Sequence, residues 1–197
     1  MISHNIPLDE ESVKQFLHFD IFQEYQRLTE KRSGKKSTKR GGREPVALFL
    51  ATQINRLDKK GRVSVPSIWR AALTGTDFSG LVLTPSAKHA CLDGFNMERM
   101  SQMATALDNS FEFYSDSQMA TATTFFGNAQ PLGLDAEGRI TMPDDLIAHA
   151  NLSDSVAFVG LGQFFQVWEP EAFKAHQAAQ RTFMQKYRLS MNLGEQK

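Results

Sequence analysis

The sequence predicts an α+β protein, mainly strand with flanking helices, whose strand-rich part is written twice. Three observations carry this. The ten residues LDKKGRVSVP at 57–66 return as LDAEGRITMP at 134–143, an offset of 77 residues. From Val46 onward, short apolar runs rich in β-favouring residues alternate with turns marked by Asp, Gly and Pro. Each copy of the ten-residue stretch is followed by a short helix-like segment and two further strand-like runs in the same order.

The chain has 197 residues, 41% of them hydrophobic, which suits one globular domain or two small ones. Its 22 Lys and Arg balance 22 Asp and Glu, so any anionic partner must be held by a local patch. Residues 1–45 hold nine basic and seven acidic side chains, and residues 46–197 hold thirteen and fifteen. A lone cysteine, Cys91, excludes an intrachain disulfide framework and a multi-cysteine zinc site, and fits a reducing compartment. No apolar run approaches the roughly 20 residues that cross a bilayer. MISHNIPLDEESVKQ has no basic region leading into an apolar stretch, so it does not read as a secretory signal. A soluble, cytoplasmic protein is the expectation.

Taken in order, Val13, Phe16, Leu17, Ile21, Phe22, Tyr25 and Leu28 recur at helical spacing behind the acidic run Asp9, Glu10 and Glu11, which predicts an amphipathic N-terminal helix. KRSGKKSTKRGGRE at 31–44 has seven basic residues and no apolar one, and reads as a linker or mobile basic arm. VALFLATQINRLD at 46–58 predicts a strand that ends in the turn Asp58, Lys59, Lys60, Gly61. Arg62 to Val65 resumes the strand, Pro66 stops pairing and opens the short helix SIWRAAL at 67–73, and strands follow at 81–84 and 90–95. Helices are expected at 97–107 and 116–127, the second capped by Ser115 or Asp116. The second copy then repeats the series: AQPLGL, a turn from Asp135 to Gly138, a strand from Arg139 to Met142, Pro143, the helix DDLIAHA, and strands at 156–160 and 164–168. A last helix runs from Pro170 to about Ser190.

The repeated Asp-x-x-Gly-Arg turn is the strongest chemical signal. Asp suits bonding to the amides ahead of it and Gly suits a positive φ, but turn geometry by itself does not ask for an Arg next. A guanidinium there offers a planar fork for phosphate oxygens or the guanine O6/N7 edge. The two copies differ in charge. RLDKKGR at 56–62 carries Arg56, Lys59, Lys60 and Arg62, whereas GLDAEGR at 133–139 has Arg139 alone against Asp135 and Glu137. The first turn is therefore expected to carry most of the phosphate affinity, and the second to be mainly structural or an auxiliary contact. A single patch of this size would bind feebly, and several copies joined by oligomerisation would add their contacts on one duplex.

Other features read as structural. Gly160-Leu161-Gly162 opens no helix and suits a hairpin turn. The five histidines show no metal-ligand spacing, Cys91 lies in a predicted strand without an activating partner, and Asp144 and Asp145 favour a helix dipole. No metal site, cofactor, small-molecule substrate or enzymatic activity is expected.

FLATQINRLDKKGRVSVPSIWRAAL, NAQPLGLDAEGRITMPDDLIAHA and VAFVGLGQFFQVWEPEAF together resemble the MraZ family of bacterial transcriptional regulators, which are built from two SpoVT/AbrB-like units. The likeness spans roughly Leu48 to His176. It implies a duplicated swapped-hairpin AbrB-like barrel, preceded in this chain by an extra helix and basic linker that have no counterpart. The expected divisions are an N-terminal extension at 1–45, a first unit at 48–97, a helical connection at 98–127, a second unit at 128–171 and a C-terminal helix at 172–197. It also implies a ring-shaped homo-oligomer, an octamer being one size such a ring could take. Its partner would be double-stranded DNA, at short direct repeats upstream of the division and cell-wall gene cluster, usually to repress it on the nucleoid. The family's DNA-contacting turn falls on Asp58, Lys59, Lys60, Gly61 and Arg62, and its second turn on Asp135, Gly138 and Arg139. Departures are Leu50 and Ala51, where Arg and Gly are common, and Ile147, where Arg is common. Two rivals stand beside this reading: an AbrB-type antitoxin that binds DNA and a protein toxin, and a structural ring without DNA contacts.

Overall fold

The computed structural model describes residues 48–74 and 78–187, so the N-terminal helix and basic arm expected before Ala47 lie outside the described residues. Among the described residues, eight strands and five α-helices follow one another in the order expected. In the first repeat these are β1 (Thr52–Arg56), β2 (Arg62–Ser64), α1 (Ser67–Arg70) with a 3₁₀ turn at Ala71–Leu73, β3 (Gly80–Pro85) and β4 (Leu92–Phe95). Two helices, α2 (Met97–Ser110) and α3 (Asp116–Phe125), connect the repeats. The second repeat holds β5 (Gln130–Gly133), β6 (Arg139–Thr141), α4 (Asp144–His149), β7 (Ser155–Gly160) and β8 (Phe165–Trp168), and α5 (Pro170–Tyr187) ends it. The mixed α+β class is as the sequence predicts.

Strand pairing crosses between the repeats. Six antiparallel strands form one sheet in the order β1-β7-β8-β4-β3-β5, and β2 and β6 form a separate two-stranded ribbon. β1 of the first repeat thus lies on β7 of the second, with Thr52 opposite Val159, while β5 lies on β3, with Leu81 opposite Leu132. The arrangement reads the same from either end. Its local two-fold passes between Asp93 and Gln166, which face each other on β4 and β8, and between Val63 and Ile140 on the ribbon. Gln166 Nε2 donates to Asp93 Oδ1 at 2.8 Å, so the buried carboxylate at the centre of the sheet is partnered across this axis.

Both faces of the sheet are covered, which is why VAFV and LVL read as apolar runs and not as alternation. Leu81, Leu83, Val156, Phe158, Phe165 and Val167 pack against Val63 and Ile140 of the ribbon and against Trp69 and Leu146 of the short helices. Phe49, fully buried, meets the Trp69 and Phe165 rings at 5.4 and 4.9 Å between centroids. On the opposite face Ala157, Val159 and Trp168 lie under Phe173 of α5, and Val82 and Phe95 lie under Met100 of α2 and Phe125 of α3. Asn96 caps α2 by accepting from the Arg99 amide at 2.9 Å, and Ser115, not Asp116, caps α3. Pro66 and Pro143 stand at the N-cap, one place before the first helical residue expected for them.

Candidate nucleic-acid interface

The ribbon strands are three residues long and antiparallel, so the turns that lead into β2 and β6 lie at opposite ends of the ribbon. Each turn is built by its aspartate. Asp58 Oδ1 accepts from the amides of Lys60 and Arg62 at 2.8 and 2.9 Å, and the Asp58 carbonyl accepts from Gly61 at 3.0 Å. Asp135 Oδ1 likewise accepts from Glu137 and Arg139 at 3.0 and 2.8 Å, and its carbonyl accepts from Gly138 at 2.9 Å. Gly61 and Gly138 take φ of +72° and +73°, the left-handed conformation that a Cβ penalises. The glycines also tie the turns to the ribbon: the Gly61 carbonyl accepts from Met142, and that of Gly138 from Val65.

The arginine after each glycine has a place in the turn that spacing alone does not reveal. Arg62 brings Nε and Nη2 to Asp58 Oδ2 at 2.8 and 2.7 Å, and Arg139 brings Nε to Asp135 Oδ2 at 2.8 Å. The Asp58 carboxyl is held down at about 2, first by the Arg62 amide and next by its guanidinium. Asp135 is likewise lowered, first by the Arg139 amide and then by its guanidinium, and Arg139 is raised above the ordinary arginine range, chiefly by its bond to Asp135. Arg62 and Arg139 are therefore both turn braces and half-exposed guanidinium groups, with 39% and 34% of their side chains accessible.

Around these matched frames the side chains diverge. Arg56, Lys59, Lys60 and Arg62 surround one shallow depression backed by Leu57 and Asp154, so the first turn brings together all four cations expected there. At the second turn Arg139 Nη2 donates to Glu137 Oε2 at 2.9 Å, at the position that Lys60 fills in the first. Arg70, outside the repeated turn motif, lies with its guanidinium against Gly138, anchored by a bond from Nε to the Val65 carbonyl at 3.2 Å. The matching place over Gly61 is taken by Ile147 of the second repeat. No local pattern marks Arg70 in SIWRAAL; only the exchange of strands between repeats carries a helix of one repeat onto the turn of the other.

The remaining candidates are structural. Cys91 is fully buried, and its thiol is pushed up to about 12 by burial and then by the Asp93 charge, which leaves it no nucleophilic thiolate. His89 and His176, distant in sequence, meet with ring centroids 4.6 Å apart over Trp168. Among the described residues no three His, Cys, Asp or Glu side chains gather as a metal site, and no helix is long and apolar enough to cross a membrane.

Comparison with known proteins adds a family. Residues 125–189 match the family model described as "MraZ protein, putative antitoxin-like". The chain is 40% identical over 140 residues to a transcriptional regulator MraZ of Gluconobacter oxydans, an overlap of 70% of this chain and 85% of the relative. A transcriptional regulator MraZ of Gluconacetobacter diazotrophicus is also 40% identical, over 70% and 88%. One of Rickettsia bellii is 38% identical over 148 residues, 73% of this chain and 96% of the relative.

Proposed function

The chain belongs to the MraZ family, and from that premise we propose that it is a DNA-binding transcriptional regulator whose principal contact is the first turn, with no catalytic role. One observation carries the reading: Arg56, Lys59, Lys60 and Arg62 are gathered at a single bend whose backbone is fixed by Asp58 and Gly61. A bend whose backbone is preset in this way brings its cations to the phosphates without the loop first having to be ordered.

The repeats at 48–97 and 128–171 act as two halves of one body, joined by 98–127. Copies assemble into a ring, which aligns several first turns along one face of the duplex. The sites are direct repeats about one helical turn, roughly 10 base pairs, apart. They lie upstream of the division and cell-wall gene cluster, where binding represses, and the protein works in the cytoplasm on the nucleoid.

The test is Lys59→Ala/Lys60→Ala, because these lysines, unlike Arg62, are not braces of the turn. Binding to a duplex from the chain's own upstream region should weaken roughly tenfold, and the salt slope should flatten by about 2. The melting temperature should not move. Unchanged affinity and slope would overturn the assignment. The antitoxin-like description of the matched model favours one second reading, a toxin-binding antitoxin, which copurification of a small protein toxin would support.

A further inference from the structure

The two arginines have identical positions in identical turns but unequal freedom. Arg62 is held by one carboxylate, gripped side-on through Nε and Nη2 by a single oxygen of Asp58. That grip leaves Nη1 and the outer hydrogen of Nη2 pointing away from the turn, the edge with which a guanidinium takes two acceptors. Arg139 is held by two carboxylates, Asp135 on Nε and Glu137 on Nη2. Over residues 56–62, four cations and one carboxylate give a net charge of +3; over 133–139, one cation and two carboxylates give −1. Both arginines thus spend Nε and Nη2 within the turn, but at Arg139 the partner of Nη2 is a second carboxylate, and Glu137 adds a negative charge beside the guanidinium where a phosphate would have to stand.

We propose that Glu137 is an internal blocking ligand: it occupies Arg139 and closes the second turn to DNA, so that each chain presents one open turn and one shut one. This rests on the reading of the turns as DNA contacts. Glu137 does no work for the backbone of the turn through its side chain, since Asp135 and Gly138 make those bonds. Its side chain is 63% exposed, so the ion pair is one that solvent and salt weaken and that a substitution can remove without disturbing the core.

The experiment uses the full chain and a fluorescent duplex from its own upstream region, with binding followed by anisotropy for wild type, Glu137→Gln, Arg139→Ala, Glu137→Gln/Arg139→Ala and Lys59→Ala/Lys60→Ala. Glu137→Gln should tighten binding roughly three- to tenfold, about the size of one charge-assisted contact. The gain should vanish in the Arg139→Ala background, because the contact belongs to the freed guanidinium. An equal gain with and without Arg139 would show that Glu137 only repels DNA at a distance, and would overturn the proposal; so would no gain at all. If Lys59→Ala/Lys60→Ala weakens binding while Glu137→Gln changes nothing, the blocking role alone falls. If wild type does not bind, both it and the DNA-contact reading fall.

Discussion

In the first turn Asp58 holds its arginine beside two lysines; in the second, Asp135 holds the matching arginine beside a glutamate. The backbone bonds of the two frames match one for one, because Asp and Gly at fixed spacing are enough to close the bend. The positions between Asp and Gly take no part in closing it through their side chains, so their charge can differ without cost to the fold. Duplication has in this way repeated a scaffold and left its chemistry free, and the two copies have come to opposite net charge. The surroundings also differ. Gly61 lies under the Met142 carbonyl and Ile147, whereas Gly138 lies under the movable guanidinium of Arg70.

The largest expected effect tests whether the two frames are equally tight. A Cβ on Gly61 would stand 2.6 Å from the Met142 carbonyl oxygen, which is backbone and fixed by the ribbon. Gly61→Ala should therefore cost the left-handed penalty and a shift of the β2–β6 pairing together, about 3 kcal/mol. On Gly138 the three atoms nearest a Cβ, at 2.3 to 2.5 Å, all belong to the Arg70 guanidinium, which can swing aside at the loss of its bond to Val65. Gly138→Ala should cost about half as much, close to the conformational penalty alone. Urea unfolding of the two variants measures both. Equal losses would mean that the turns are alike in packing as well as in hydrogen bonding.

A smaller effect separates the two carboxylates. Asp58 titrates at about 2 in the folded chain against 3.8 for an ordinary aspartate, so its bonds stabilise the protein above that ordinary value and are lost as pH falls from 3.8 towards 2. Asp135 shifts in the same direction and by less. Asp58→Asn removes the acid-sensitive group, so the fall of melting temperature across this window should be shallower than in wild type, and shallower than in Asp135→Asn. The reverse order would place the stronger brace at the second turn.

Much of this architecture was legible because its punctuation is local. Asp, Gly and Pro mark the turns and helix starts, and the helix expected at 97–107 runs at Met97–Ser110, while that expected at 116–127 runs at Asp116–Phe125. The four cations of the first turn are neighbours in sequence and remain so in space. What could not be read is pairing at long range. Nothing local says that Thr52 lies opposite Val159 and not beside its own repeat, because burial of Phe49 and Trp69 among second-repeat side chains decides it. The same exchange puts Arg70 on Gly138 and brings His89 to His176. The grip of Arg62 on Asp58 was hidden differently: spacing shows that an arginine is present, and only geometry shows which way its fork turns.

The smallest expected effect concerns the strand that delivers the first turn. The apolar run from Val46 predicts one strand to Asp58, yet β1 begins only at Thr52, because Ala51 takes φ of +69°. Its neighbours leave it no choice. Phe49 is fully buried and paired with Gly162, the Leu50 carbonyl accepts from the Trp69 indole at 3.0 Å, and the Ala51 carbonyl accepts from Gly160 at 2.9 Å. An alanine held there is strained by about 1 kcal/mol. Ala51→Gly relieves that strain but frees the unfolded chain, for a net gain of about 0.5 kcal/mol and a rise in melting temperature of about 1–2 °C. Asn128, at the matching place before the second turn, does not take a positive φ, and its side chain bonds the Thr124 carbonyl at 3.1 Å. Asn128→Gly should accordingly lower the melting temperature. Opposite signs from the same substitution, read in paired thermal melts, would locate the difference between the repeats in the approach to the turn as well as in its charge; shifts of one sign would confine it to charge.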